Sequence, residues 1–207
     1  IGERLGDPQL TARLVANHYS VCHTGFRPAA CFELADRLLG LAHELDDPTW
    51  KLYALLERVQ TRFQTGDLAA VDAALPEAMA LAVRLRAPAQ RWMLSSWQAM
   101  SHLLHGDLVE AERQVGVALE LGLAANQPDA GDWFLGQVFL IRWMGGRLDE
   151  IIAEVEDQAD DLAERIPVWR AGLAMARAET GDLVGARRLV DVGLAVGFAL
   201  PRDMLWL

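Results

Sequence analysis

Six of the eight prolines in this chain keep one register. They stand at Pro8, Pro48, Pro88, Pro128, Pro167 and Pro201, in steps of 40, 40, 40, 39 and 34 residues. A period in that range marks a repeat array, in which each unit buries its apolar face only against its neighbours. A second marker keeps the same beat. Gly66, Gly106, Gly146 and Gly181 open the runs Gly-Asp-Leu-Ala, Gly-Asp-Leu-Val, Gly-Arg-Leu-Asp and Gly-Asp-Leu-Val, spaced 40, 40 and 35. Glycine follows proline by 18 residues in three units and by 14 in the fourth. The missing four residues are about one helical turn, so the shorter unit keeps its buried face in phase.

Each unit therefore reads as two helices. Proline opens the first, where its absent N–H costs nothing, and glycine ends it in the left-handed conformation. The aspartate that follows, Asp67, Asp107 or Asp182, caps the second helix; Arg147 replaces it in one unit, where a weaker cap is expected. Asp107 with Glu110 has the spacing of a capping box. First helices are expected at about 8–24, 48–65, 88–105, 128–145 and 167–180, and second helices at about 27–46, 68–86, 108–125, 148–165 and 183–196. Leu52, Leu55, Leu56, Val59 and Phe63 form the apolar stripe of one of them. No stretch alternates as a strand would. The expected fold is all-α, a right-handed solenoid of antiparallel helix-turn-helix repeats in a single domain over 1–207, with units at about 8–47, 48–87, 88–127, 128–166 and 167–200. Residues 201–207 start a further unit, with Trp206 at its fifth position. The array is therefore expected to be a fragment of a longer one, and the apolar run Met204-Leu205-Trp206-Leu207 to favour self-association through exposed repeat ends.

Charge and composition narrow the function. The 207 residues carry a net charge of −10, with 52% hydrophobic and 23% charged residues. That is too apolar for a disordered tail, and too acidic for a segment that grips nucleic acid directly. Two cysteines, Cys22 and Cys31, make no disulfide framework, which fits a reducing, cytoplasmic setting. No apolar run reaches the ~18–20 residues that span a bilayer, so no membrane is expected.

The run Gly106-Asp-Leu-Val-Glu-Ala111 with Ala118-Leu119, and Gly181-Asp-Leu-Val-Gly-Ala186 with Gly193-Leu194, resembles the tetratricopeptide repeat. Small residues five and twelve positions after the glycine let paired helices approach. Val71 and Ile151 depart from this pattern, the family's glycine inside the first helix is missing, and the units exceed the usual 34 residues. Lengthened units of this kind resemble the sensor arms of large bacterial ATP-dependent transcription activators with a LuxR-type DNA-binding end. The resemblance implies a non-catalytic arm of a larger regulator. Eighteen arginines against the single Lys51 fit a GC-rich bacterial genome.

Chemical candidates are few. His18 and Cys22 share a helix face, with His23 and Cys31 close in sequence, which admits zinc. Buried cysteine with surface histidine explains the same residues, so no metal and no cofactor are expected. His102 and His105 sit where a helix C-terminus favours imidazole. Asp46-Asp47 lies at a repeat junction, and Asp157 with Asp160-Asp161 reads as a solvated face, leaving a helical metal-dependent enzyme as a remote alternative. Neither a phosphate loop nor a nucleophile elbow is present.

Trp50, Trp92, Trp133 and Trp169 recur near the starts of first helices and are expected mostly in the core. A cation stands four residues before each turn glycine: Arg62, His102, Arg142 and Arg177. These residues either pair with the helix dipole and nearby acids, or form an anion-binding column on the concave face with Tyr53, Trp97 and Trp143. The expected function is binding of a small-molecule effector or a protein or peptide without catalysis. A general protein-interaction scaffold is the alternative.

Overall fold

The computed structural model describes residues 2–24, 27–155, 167–195 and Gly197. Asp157, Asp160, Asp161, Pro201 and the run Met204 to Leu207 lie outside these. The described residues are helical, with no strand among them. A short α1 (Gly2–Leu5) precedes α2 (Pro8–Thr24), α3 (Pro28–Glu44), α4 (Pro48–Thr65), α5 (Leu68–Arg84), α6 (Pro88–Leu104) and α7 (Leu108–Ala124). Then come α8 (Ala130–Met144), α9 (Leu148–Val155), α10 (Pro167–Glu179) and α11 (Leu183–Ala195). The chain divides into two compact units, one reaching to Gly131 and the other beginning at Asp132.

In the first unit each helix packs on the next, α2 on α3, α3 on α4 and onward to α7, and α2 also reaches α4. In the second, α9 packs on α10 and α10 on α11. This is an all-α repeat of stacked helical hairpins. Proline opens helices as expected at Pro8, Pro48, Pro88 and Pro167. Pro128 does not: it lies in a turn, and α8 starts two residues later, with Ala130 N–H donating to Gln127 C=O at 3.3 Å.

Two kinds of turn alternate. Within hairpins the turn glycines take φ of 72°, 80°, 67° and 92° at Gly66, Gly106, Gly146 and Gly181. Between hairpins the left-handed residue is Asp46, Arg86 or Asn126, at φ of 49°, 51° and 50°, again one every forty residues. A side chain in that conformation costs roughly 1 kcal/mol, which the packing of two helices offsets. Glycine is obligatory at Gly122 for a different reason: a Cβ there would lie 2.6 Å from Ala130 Cβ and 2.8 Å from the Trp92 ring, so α7 could not approach its neighbours.

In the first unit the hairpins stack along one stripe of the first helices α4 and α6, at six, nine and thirteen residues after the opening proline. Ala54, Glu57 and Thr61 of α4 and Leu94, Trp97 and Ser101 of α6 are all buried. The spacing is that of one helix face, and it meets the preceding hairpin. Among the described residues no helix is long and apolar enough to cross a membrane.

Candidate functional site

The column of cations is placed by the turns. The carbonyl of Arg62 accepts the N–H of Asp67 at 3.0 Å, that of His102 accepts Asp107 N–H at 3.0 Å, and that of Arg142 accepts Arg147 N–H at 2.7 Å. These three column residues are therefore part of the C-caps that their glycines make possible. Opposite it, the aspartate starts the next helix. Asp67 Oδ1 accepts Ala70 N–H at 3.2 Å, Asp107 Oδ1 accepts Glu110 N–H at 3.2 Å, and Asp182 Oδ1 accepts Gly185 N–H at 2.8 Å.

The side chains fold over the same turns. Arg62 Nη1 donates to Ala70 C=O at 3.1 Å. His102 Nδ1 lies 4.0 Å from Asp107 Oδ2, Arg142 Nε 2.7 Å from Glu150 Oε2, and Arg177 Nη1 3.5 Å from Asp182 Oδ2. Ala70 and Glu150 both stand four residues after their glycine, so residues four before and four after it meet across the turn. In the last hairpin that place is Gly185, where a Cβ would lie 2.5 Å from Arg177 Nη1. Glycine there leaves room for the arginine to reach Asp182.

Arg62, His102, Tyr53 and Trp97 belong to the first compact unit; Arg142, Trp143 and Arg177 belong to the second. The aromatic members part company. Tyr53 and Trp143 are exposed, whereas Trp97 is only 4% exposed and packs edge-on against Phe63 with ring centroids 6.4 Å apart. Its aromatic area lies within the hairpin stack. Trp92 is likewise buried, and Trp50 is half-buried, donating from Nε1 to Gln9 Oε1 at 2.9 Å.

A second centre was not foreseen from the sequence. Between α2 and α4, Tyr19 Oη donates to Glu57 C=O at 2.7 Å and lies 3.0 Å from Thr61 Oγ1, which itself donates to Glu57 C=O at 2.8 Å. His23 stacks on Tyr19 with centroids 5.8 Å apart, its Nε2 3.0 Å from Gln60 Nε2, and Gln64 Nε2 donates to its carbonyl at 3.4 Å. Glu57 is 7% exposed, and its Oε2, like His23 Nδ1, is buried without a hydrogen-bond partner among the described residues. Burial pushes the Glu57 carboxyl up to about 8 and the Tyr19 phenol well above its usual range. Burial also pulls the His23 imidazole down, with Gln64 opposing, and raises the Cys31 thiol.

These groups are held neutral near pH 7. A buried thiol raised above its ordinary value is not an activated thiolate, so the cluster is built as a joint between hairpins. Its signal was available: nine residues after the unit proline, where α6 carries Trp97, α4 carries an acid.

Cys22 and Cys31 are free and buried, and His18 is exposed. Among the described residues no three His, Cys, Asp or Glu side chains gather to hold a metal ion. His105 Nε2 lies 3.3 Å from Asp72 Oδ2, and the Asp72 carboxylate also accepts Ser101 Oγ–H at 2.5 Å, tying α6 to α5. No protein-family model matches the chain, and no curated protein matches it.

Proposed function

We propose that this chain is a non-catalytic binding arm of a larger bacterial signalling or transcription regulator, made of lengthened tetratricopeptide-like units. It takes an acidic peptide or a carboxylated effector on the exposed side of its first helices. One observation carries the reading: the cation recurring in sequence also recurs in place, over the turn at Gly66, Gly106, Gly146 and Gly181. In the first unit, Arg62 uses one N–H on Ala70 C=O, and a guanidinium has five in a fork suited to carboxylate. His102 is half-exposed, and Tyr53 offers aromatic area on α4.

The test is binding of a fluorescein-labelled oligoglutamate peptide to the whole chain, followed by anisotropy. Substituting Arg62→Ala with His102→Ala should weaken binding by about tenfold for each charge-assisted hydrogen bond removed, with little change in melting. Unchanged binding at a lower melting temperature would assign both cations to the turns alone. The regulator assignment is tested by the gene itself. A nucleotide-binding module before Ile1 and a helix-turn-helix after Leu207 are expected, and a stop codon directly after Leu207 would remove it.

A further inference from the structure

Helix α2 is held on α4 by polar groups. The hydrogen bonds that join the two are made at Gln9, Tyr19 and His23, and water can replace each of them. Ala54 is the part of α4 that enters the buried core shared by α2 and α3, with Trp50 half-buried against it. By contrast α3 packs directly on α4, and Asp36 Oδ1 adds an ion pair to Arg58 Nε at 3.5 Å. The contact of α2 with α4 is therefore the weaker attachment of the first hairpin.

This attachment closes over two groups that must stay uncharged. Glu57 Oε2 is buried without a hydrogen-bond partner, and among the described residues no ion pair reaches it. The titratable groups around the joint are Tyr19 and His23 from α2, Cys31 and Asp36 from α3, and Arg58 on α4 itself. The one cation among them is engaged with Asp36. The other charged residues of α2 and α3 are exposed. On α5, Glu77 pairs with Lys51 at 2.8 Å, Asp72 holds Ser101 and His105, and Arg84 is exposed. His23 Nε2 lies 3.0 Å from Gln60 Nε2. An amide nitrogen only donates, so this ring nitrogen accepts and the imidazole is neutral. An ionised carboxylate in such a place has to reach water.

We propose that a proton on Glu57 latches α2 to α4, and that ionisation of this carboxyl lifts α2 away and admits water to the joint while α3 keeps its packing on α4. The proton leaves to solvent. Burial holds the carboxyl up to about 8 against an ordinary 4.5. The closed joint keeps a proton that the open joint gives up between these values, so opening grows as pH rises and levels off above the upper one. At the second joint Trp97 meets Phe63, and neither ring titrates, so the latch belongs to the first hairpin.

Tyr19 and Tyr53 are the two tyrosines of the chain, one 3% and the other 39% exposed. Ring-13C tyrosine therefore gives the whole chain one probe inside the joint and one outside it, and a neutral gadolinium chelate in solution relaxes whichever ring water reaches. Tyr53 should be relaxed equally at every pH. Relaxation of Tyr19 should climb about tenfold per pH unit from about pH 6.5 and level off by about pH 9, with helix content unchanged by circular dichroism. Glu57→Gln and Glu57→Met should both keep Tyr19 protected over that range. A wild-type Tyr19 that stays protected at about pH 9 would overturn the latch. Exposure of Tyr19 with loss of helix would overturn it in favour of unfolding of the chain, and equal exposure in the two variants would place the titrating group elsewhere.

Discussion

The joint between the first and second hairpins and the joint between the second and third occupy the same positions on their helices with opposite chemistry. At the first, Glu57 and Thr61 of α4 meet Tyr19 of α2 through hydrogen bonds to a buried carbonyl. At the second, Trp97 of α6 meets the ring of Phe63. Both joints are buried and both keep the hairpins in step, so the stacking is set by helix length and turn geometry. What fills the joint then decides how its strength responds to conditions. A polar joint depends on protonation, because its buried carboxyl is stable only when neutral. An apolar joint depends on volume.

The largest effect is expected where volume decides. Trp97→Ala removes a 4%-exposed indole and should destabilise the chain by about 3–5 kcal/mol, as large core truncations do. Urea denaturation at two pH values checks this. The loss should be the same at both, since neither ring of the pair titrates. A loss below ~1 kcal/mol would mean that the second joint is not held by Trp97.

The next effect belongs to the first joint and has a sign. Unfolded, Glu57 titrates near its ordinary value of 4.5; folded, burial holds it at about 8. Between those values the folded chain binds the extra proton, so stability falls as pH rises, by about 1.4 kcal/mol per pH unit. The contribution is complete below 4.5 and is lost as pH passes 8. His23 acts oppositely, because its folded value lies below 6.5 and its contribution is lost only as pH falls through that region. The window from 6.5 to 8 therefore isolates Glu57, over which about 2 kcal/mol should disappear. Glu57→Gln keeps the shape without the titration and should give a flat profile there. A wild-type profile as flat as the variant's would show that Glu57 is ionised in the folded chain.

The difference between the joints also explains what could be read beforehand. Turn glycines, proline-opened helices and the forty-residue beat depend on local backbone rules, and these are visible in sequence at Gly66, Gly106, Gly146 and Gly181. The buried stripe requires aligning the units position by position. Only then do Glu57 and Trp97 fall on the same line, and Trp97 move from an exposed surface into the stack. The Tyr19 contact was hidden further, because it joins residues 38 and 42 positions apart through α2 and α4. Arg86 at positive φ carried no signal, since nothing about arginine favours that conformation.

A smaller effect tests whether the polar joint is held by its hydroxyl. Tyr19→Phe keeps the stacking on His23 and removes the donor to Glu57 C=O, and should cost about 1–1.5 kcal/mol. If the phenylalanine variant melts like the wild type, Thr61 alone satisfies that carbonyl.

The smallest effect concerns the turns that lead into the two joints. Before α4, Asp47 caps the helix, its carboxylate accepting Thr49 N–H at 2.8 Å. Before α6, the same position is Ala87, with no side-chain cap. The backbones are alike, φ −108° and ψ 104° at Asp47 against φ −97° and ψ 85° at Ala87. An aspartate placed at Ala87 can therefore reach the open N–H groups of α6 without rebuilding the turn, and it puts negative charge at the positive end of the helix. Ala87→Asp should raise stability by about 0.5–1 kcal/mol, and Asp47→Ala should lower it by a similar amount. Thermal melting of the two single variants and their combination separates the terms. The capping difference should be additive, since the two turns share no side-chain partner. A stabilised Ala87→Asp chain would show that the second joint tolerates a bare turn because Trp97 holds it. A destabilised one would mean that the half-buried Ala87 methyl packs in the joint itself, and that the turn leading into α6 is part of its apolar contact.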